Sequence, residues 1–184
     1  MKPHIERWSR YCSEQHDKVG QTYGKELPYS FHLDAVYQQV NHFGHLLDNY
    51  GKVGKVSELT MAKAAAWGHD LLEDTNLTYN DVRQAISHMD GLTISRNEIT
   101  EIIYCLTDYK GRNRAERKPQ KYYDELCANE VALYVKLCDL IANKLYSRLT
   151  GSSMYQMYKR EYPNFKEKTY NPRFREMYLY LESI

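Results

Sequence analysis

The chain has 184 residues, 42% hydrophobic and 27% charged, which suits one well-buried globular domain and is too apolar for intrinsic disorder. Twenty-five Lys and Arg nearly balance twenty-four Asp and Glu, so no overall field favours a nucleic-acid or membrane partner, and any anionic ligand must be caught by a local cluster. No apolar run is long enough for a membrane span and residues 1–10 lack the apolar stretch of a secretory signal. With four cysteines in no C-x-x-C spacing, a cytoplasmic protein with reduced thiols is expected.

Apolar residues recur at three- and four-residue spacing while alternating patterns are scarce, so the fold is expected to be all-α, a single compact helical bundle. Helices are predicted over 4–18, 31–49, 56–72, 78–88, 96–107, 112–128, 130–148 and 173–182, the last within a helical extension over 151–184. Gly20 and Pro28 precede the second, Gly51 and Gly54 follow it, Gly91 divides the middle, and Gly151 closes the long seventh. Thr78 and Asp81 have the spacing of a capping box. Most of the eighteen tyrosines are expected to pack the last helices with their hydroxyls at the rim.

Three polar intrusions into apolar helices point to chemistry. The first is Gly68-His69-Asp70-Leu71-Leu72-Glu73-Asp74-Thr75, after the apolar Ala64-Ala65-Ala66-Trp67. On a continuous helix His69 stands over Glu73 and Asp70 over Asp74, so four titratable groups turn toward one pocket. Burying them costs several kcal/mol unless a cation or partner compensates. The second is Asp139, which interrupts the apolar stretch from Val131 to Ala142, with Asn143 one turn further on and Lys136 three residues before. The third is His32, at the start of the second helix, which taken alone reads more often as a structural histidine. His42 and His45, like the scattered His4, His16 and His88, are expected to play surface or packing roles.

At these residues the sequence resembles the HD phosphohydrolase superfamily, and within it the alarmone hydrolases: the hydrolase domain of RelA/SpoT proteins and their small stand-alone relatives. The resemblance spans about residues 16–150. It rests on Pro28-Tyr29-x-x-His32, His69-Asp70-x-x-Glu73-Asp74-Thr75, Leu106-Thr107-Asp108-x-Lys110 with Glu116-Arg117-Lys118, and Val135-Lys136-Leu137-x-Asp139-x-x-x-Asn143, in that order. It implies a helical bundle of the HD-domain type in which His32, His69, Asp70 and Asp139 ligate a metal and Glu73 and Asp74 polarise the attacking water and carry protons. The ligand set suits Mn²⁺, with other divalent transition metals possible. The implied reaction removes the 3′-pyrophosphate of guanosine tetra- or pentaphosphate. The partner is then a small-molecule nucleotide, and the sequence leaves the oligomeric state undetermined.

Substrate contacts are expected from Tyr23, Lys25, Tyr29, Lys110, Arg112, Arg117, Lys136 and Asn143. Lys110, Arg112, Arg114, Arg117, Lys118 and Lys121 crowd one stretch, either a solvated face or a phosphate clamp. The family's usual Arg-Lys pair, nine and eight residues before the first ligand histidine, is Tyr23-Gly24 here, although Tyr23 can still stack on a purine. An HD-type nucleotidase or phosphodiesterase on a smaller mono- or cyclic nucleotide therefore stays open. A catalytically quiet nucleotide-binding module is the alternative outside enzymes.

Overall fold

A computed structural model describes residues 2–184. Its centre is the helix Glu130–Leu149, twenty residues started by Asn129, whose side chain accepts from the Ala132 amide. Apolar residues occupy almost all of its circumference, so it is buried on most sides by the helices around it.

In chain order the helices are α1 (Pro3–Lys18), α2 (Ser30–His42), α3 (Glu58–Gly68), α4 (Leu71–Asp74), α5 (Tyr79–Ser87) and α6 (Arg96–Leu106). They continue as α7 (Arg114–Arg117), α8 (Gln120–Ala128), α9 (Glu130–Leu149), α10 (Met154–Thr169) and α11 (Arg175–Ser183). Helices α2, α3, α6, α8, α10 and α11 pack on α9. A two-stranded antiparallel hairpin, β1 (Thr22–Tyr23) and β2 (Leu27–Pro28), pairs Thr22 with Pro28 and Tyr23 with Leu27. Buried apolar residues from Ile5 to Leu181 form one connected cluster. Among the described residues no helix is long and apolar enough to cross a membrane.

The small residues of α3 let its neighbours approach closely. Ala62, Ala64, Ala65 and Ala66 are fully buried, and Trp8 of α1 donates its indole N–H to the Ala64 carbonyl at 2.8 Å. A Cβ on Gly68 would stand 2.8 Å from Ile103 Cδ1 and 3.0 Å from Trp8 Cζ2, so only glycine fits there without movement.

Four sequence expectations are corrected. The helix expected over 31–49 ends at His42, and a 3-10 turn at Gly44–Leu46 brings Gly44 against Leu59 of α3, where a Cβ would lie 3.2 Å from its Cδ1. The helix expected over 56–72 breaks at His69-Asp70, with Asp70 at φ −100°, ψ 2°. The helix expected over 112–128 divides into α7 and α8, because Lys118 precedes Pro119 and leaves the helical region at φ −122°, ψ 63°. Helix α10 lies within the helical extension expected over 151–184, where no helix of these bounds is predicted. Its Pro163 and polar, tyrosine-rich sequence hide the apolar period. The capping box at Thr78 and Asp81 forms as expected.

Arg173, in the turn before α11, ties the carboxy-terminal segment to the core, donating to Glu58, Glu130 and the Leu46 carbonyl. Lys144 of α9 donates to the Leu181 carbonyl at 2.6 Å. The elements that follow α9 are thereby fixed beside the cluster of histidines and carboxylates.

Candidate metal centre

His32, on the first turn of α2, and His69, at the end of α3, are both 2% exposed, a burial that ordinary surface histidines do not show. Their Nε2 atoms face each other at 3.2 Å. Asp70 Oδ2 lies 2.8 Å from the His69 Nε2 and 3.5 Å from that of His32. The ligand atoms of these three residues all fall within 4.8 Å of one another. Asp139 of α9 joins from another side, its Oδ1 3.3 Å from His32 Nε2 and 3.8 Å from His69 Nε2.

The donor chemistry fits a divalent cation. His69 Nδ1 is 2.9 Å from the Ala66 carbonyl, which can only accept, so Nδ1 carries the proton and Nε2 presents its lone pair. The His69 lone pair can then accept an N–H from His32 Nε2 across 3.2 Å or, with His32 in its other tautomer, share a cation with it. That spacing is also what two nitrogens at ~2.1 Å from one ion would have. Burial alone would lower the His32 pKa, but hydrogen bonds and charge from Asp139 and Asp70 push it up to about 9. Burial alone would raise Asp70 and Asp139. The histidines hold Asp70 well below the usual carboxylate range, and Lys136 with the histidines does the same for Asp139. Both carboxylates thus stay ionised in the interior, the state in which they can ligate a cation.

Further side chains hold these ligands. The Tyr29 hydroxyl lies 2.5 Å from Asp70 Oδ2 and 3.1 Å from Asp74 Oδ2, and Gln21 donates to Asp74 at 3.0 Å. Lys136 donates to Asp139 Oδ2 at 2.9 Å, and Asn143 donates to its Oδ1. Tyr23 donates to the Asn143 side-chain oxygen and lies over the His32 ring, centroids 4.7 Å apart at 22°. The hairpin delivers Tyr23 to this position.

The break at Asp70 separates Glu73 from the face assigned to it on a continuous helix. Glu73 does not stand over His69; its Oε2 accepts from the Asp108 amide at 3.2 Å. Burial and the Asp108 and Asp70 charges push the Glu73 carboxyl up, and burial and Asp70 do the same for Asp74. Both carboxylates line a cavity of about 210 Å³ together with His32, Asp70 and Asp139.

Of the expected substrate contacts, Tyr23, Tyr29, Lys136 and Asn143 line this cavity, and Lys25, Lys110, Arg112 and Arg117 do not. Lys25 is exposed at the hairpin turn and Lys110 is exposed after α6. The Arg112 side chain is 95% exposed and its guanidinium lies 3.8 Å from Glu116. Arg114 and Lys118 face the cavity instead, because the Asn113 cap and the Pro119 break set the single turn of α7 with those two side chains inward. Asp108 and Tyr158 also line it. Asp108 belongs to the Thr-Asp-x-Lys motif, whereas Tyr158 of α10 is not among the expected substrate contacts.

His16, expected in an ordinary role, is fully buried and stacks on Tyr29 with centroids 4.5 Å apart. Neither ring nitrogen has a partner among the described residues, and burial pushes its pKa down to about 4. His45 lies on the surface, 2.8 Å from Glu176.

No protein-family model matches the chain, and no curated protein matches it. A solved structure described as a metazoan orthologue of SpoT that hydrolyses ppGpp and plays a role in starvation responses is similar in fold. The TM-score is 0.64 at 19% identity, covering 100% of this chain and 94% of that one. The compact all-α bundle expected from the sequence is the fold observed, and it is similar to that of this solved structure.

Proposed function

We propose that the chain is a metal-dependent phosphohydrolase that removes the 3′-pyrophosphate of guanosine tetra- or pentaphosphate. In this reading His32, His69, Asp70 and Asp139 hold Mn²⁺ or another divalent transition metal, and the protein works in the cytoplasm on a small nucleotide. The observation that carries it is the meeting of two imidazole nitrogens at 3.2 Å beside the Asp70 carboxylate, with Glu73 and Asp74 on the same cavity. Fold likeness to a protein described as hydrolysing ppGpp supports the choice of substrate.

A divalent cation held by this set supplies Lewis acidity, lowering the pKa of water from ~16 toward ~7 and offsetting charge on the phosphoryl oxygens. Glu73 accepts a proton as water attacks phosphorus, its raised pKa bringing it nearer the operating pH than a free glutamate. The Asp108 amide fixes one Glu73 oxygen and leaves the other for the water. Asp74, anchored by Tyr29 and Gln21, carries the proton toward the ribose oxygen as its bond to phosphorus breaks. Tyr29 holds Asp70 in place, and Lys136 and Asn143 do so for Asp139. Pyrophosphate and GDP or GTP leave.

A second reading, hydrolysis of a smaller mono- or cyclic nucleotide, is favoured by one observation. The rim positions of the family's basic pair are Tyr23 and Gly24. Gly24 has φ +65° and lies so close under the Tyr146 hydroxyl that a Cβ would collide with it. A side chain at position 24 would need Tyr146 to move and would strain the backbone. A manganese-supplemented screen over guanosine tetraphosphate, NADPH, nucleoside monophosphates and cyclic nucleotides, with product identification, decides between them. Pyrophosphate from the tetraphosphate alone supports the first reading, and inorganic phosphate from monophosphates the second. Turnover of none of them, with no metal in the purified protein, would leave a binding module.

A further inference from the structure

We propose that Arg114 and Lys118, together with Lys136, form a phosphate-binding wall facing the His–Asp cluster, and that Arg114 sets a preference for diphosphate groups over single phosphates. The inference rests on the phosphohydrolase reading and names determinants of its specificity.

The cavity carries unlike chemistry on its two sides. Helices α2, α3 and α4 bring His32, Asp70, Glu73 and Asp74, while α7, the segment after it and α9 bring Arg114, Lys118 and Lys136, the last two beside Asp108 and Asp139. Each cation has a carboxylate partner, that of Lys136 lying one turn along its own helix. Arg114 donates through Nε and Nη2 to the two oxygens of Glu161 on α10, both at 2.9 Å. Lys118 Nζ lies 3.6 Å from Asp108, and Lys136 Nζ lies 2.9 Å from Asp139. Such pairs keep long side chains extended toward the cavity and lessen the conformational entropy lost when an anion binds.

The wall has capacity for more negative charge than it holds. Lys118 is only 17% exposed and its one carboxylate sits beyond hydrogen-bond distance. Burial, then repulsion from Lys136, pushes its ammonium down to about 8, so an arriving anion would strengthen its charge. Tyr122, under Lys118 with its ring 5.8 Å from Nζ, is 1% exposed and its hydroxyl has no partner among the described residues. The cation side also continues into a second pocket under α10, where the same three cations meet Lys144, Tyr162 and Phe165. The histidine side is sufficient for one phosphoryl group. A second group, with its further charge, needs the opposite wall. With Nε and Nη2 bonded to Glu161, the Nη1 edge of the Arg114 guanidinium is left to donate to it, and Glu161 holds that edge in a fixed plane.

The test is calorimetric titration of the full chain with inorganic pyrophosphate and with inorganic phosphate, in the metal-loaded and the chelated protein. Wild type is expected to bind pyrophosphate at least tenfold more tightly than phosphate. Arg114→Gln and Lys118→Met should each weaken pyrophosphate about tenfold while changing phosphate less than threefold. The exposed controls Lys110→Gln and Arg112→Gln should stay within twofold of wild type. Lys118→Met removes a desolvated charge and is expected to fold at least as stably as wild type, which keeps the test meaningful if Arg114→Gln unfolds. Unchanged pyrophosphate affinity in Lys118→Met, or an equal loss in Arg112→Gln, overturns the wall. If the wall variants lose pyrophosphate binding in a protein that hydrolyses no nucleotide, the proposed function falls and the wall stands. If wild type releases pyrophosphate from the alarmone and the variants bind pyrophosphate normally, the wall falls alone.

Discussion

His32 Nε2 and His69 Nε2 meet at 3.2 Å, although 37 residues separate them and they belong to different helices. The contact exists because α2 packs closely on the alanine-rich α3, and because the chain breaks at Asp70 so that the His69 ring turns back to the Ala66 carbonyl. The approach places the two facing nitrogens beside Asp70 and Asp139, the arrangement on which the proposed metal site rests.

Replacing His32 with Ala should therefore lower bound metal from about one ion per chain to near zero, as read by elemental analysis of the purified protein. Chelation of wild type should lower its melting temperature by several degrees. An ion at a hundredfold excess over its dissociation constant contributes ~2.7 kcal/mol, and each kcal/mol moves a domain of this size by about 2–4 °C. Chelation should leave the melting temperature of His32→Ala unchanged. An equal shift in both would show that the ion sits elsewhere.

Glu73→Gln tests proton transfer apart from metal binding. Glu73 is not one of the four proposed ligands, and its Oε2 accepts from the Asp108 amide. Metal content should stay within a factor of two of wild type while kcat falls by ~10² to 10⁴, the usual contribution of a positioned general base. Near-native turnover would remove Glu73 from the reaction.

Gly68→Val addresses the support beneath the ligands. Its side chain would meet Ile103 and Trp8 at contact distances that real Cβ atoms do not show, and overpacking of this kind costs ~1–3 kcal/mol. Denaturant titration should give a lower midpoint with an unchanged slope. Any fall in metal affinity should accompany the loss of stability, since Gly68 directly precedes His69.

Lys118 predicts a pH dependence with a defined sign. Its folded pKa is about 8 against 10.5 for the free group. Between those values the unfolded chain holds a proton that the native state lacks, so stability contributed through this group rises with pH across that window. Below about pH 8 the buried charge is a standing penalty. The difference in unfolding free energy between Lys118→Met and wild type should thus be largest near pH 7 and shrink toward pH 10.5. A difference that is flat across this range would contradict the shifted lysine.

Much of the fold and of the centre could be read from the order of residues. Helical periodicity located α1, α5, α6 and α9 nearly to their ends, because an apolar stripe every three or four residues is a local property. The burial of Asp139 within α9 was legible for the same reason: a carboxylate among Leu137, Cys138, Leu140 and Ile141 needs a positive partner. Helix α10 was not legible. Its Pro163 and mixed polar face carry no period, and it is held by tertiary contacts such as Tyr162 to the Tyr178 carbonyl and Arg114 to Glu161.

The identity of the basic residues on the cavity was likewise beyond local reading. Six cations lie between residues 110 and 121, and their spacing does not say which face inward. That depends on Pro119 ending α7 after one turn and on Glu161 capturing Arg114 from forty-seven residues away.

By itself the sequence determined that the chain would form helices and that His69, Asp70 and Asp139 would intrude into apolar segments, because side-chain chemistry and period are written residue by residue, while His32 joined them only through the resemblance of the motifs. Tertiary structure alone decided where Glu73 turns after the break at Asp70 and which cations oppose the centre. Those outcomes follow from packing between distant segments, where a steric fit or an ion pair chooses among local conformations of nearly equal energy.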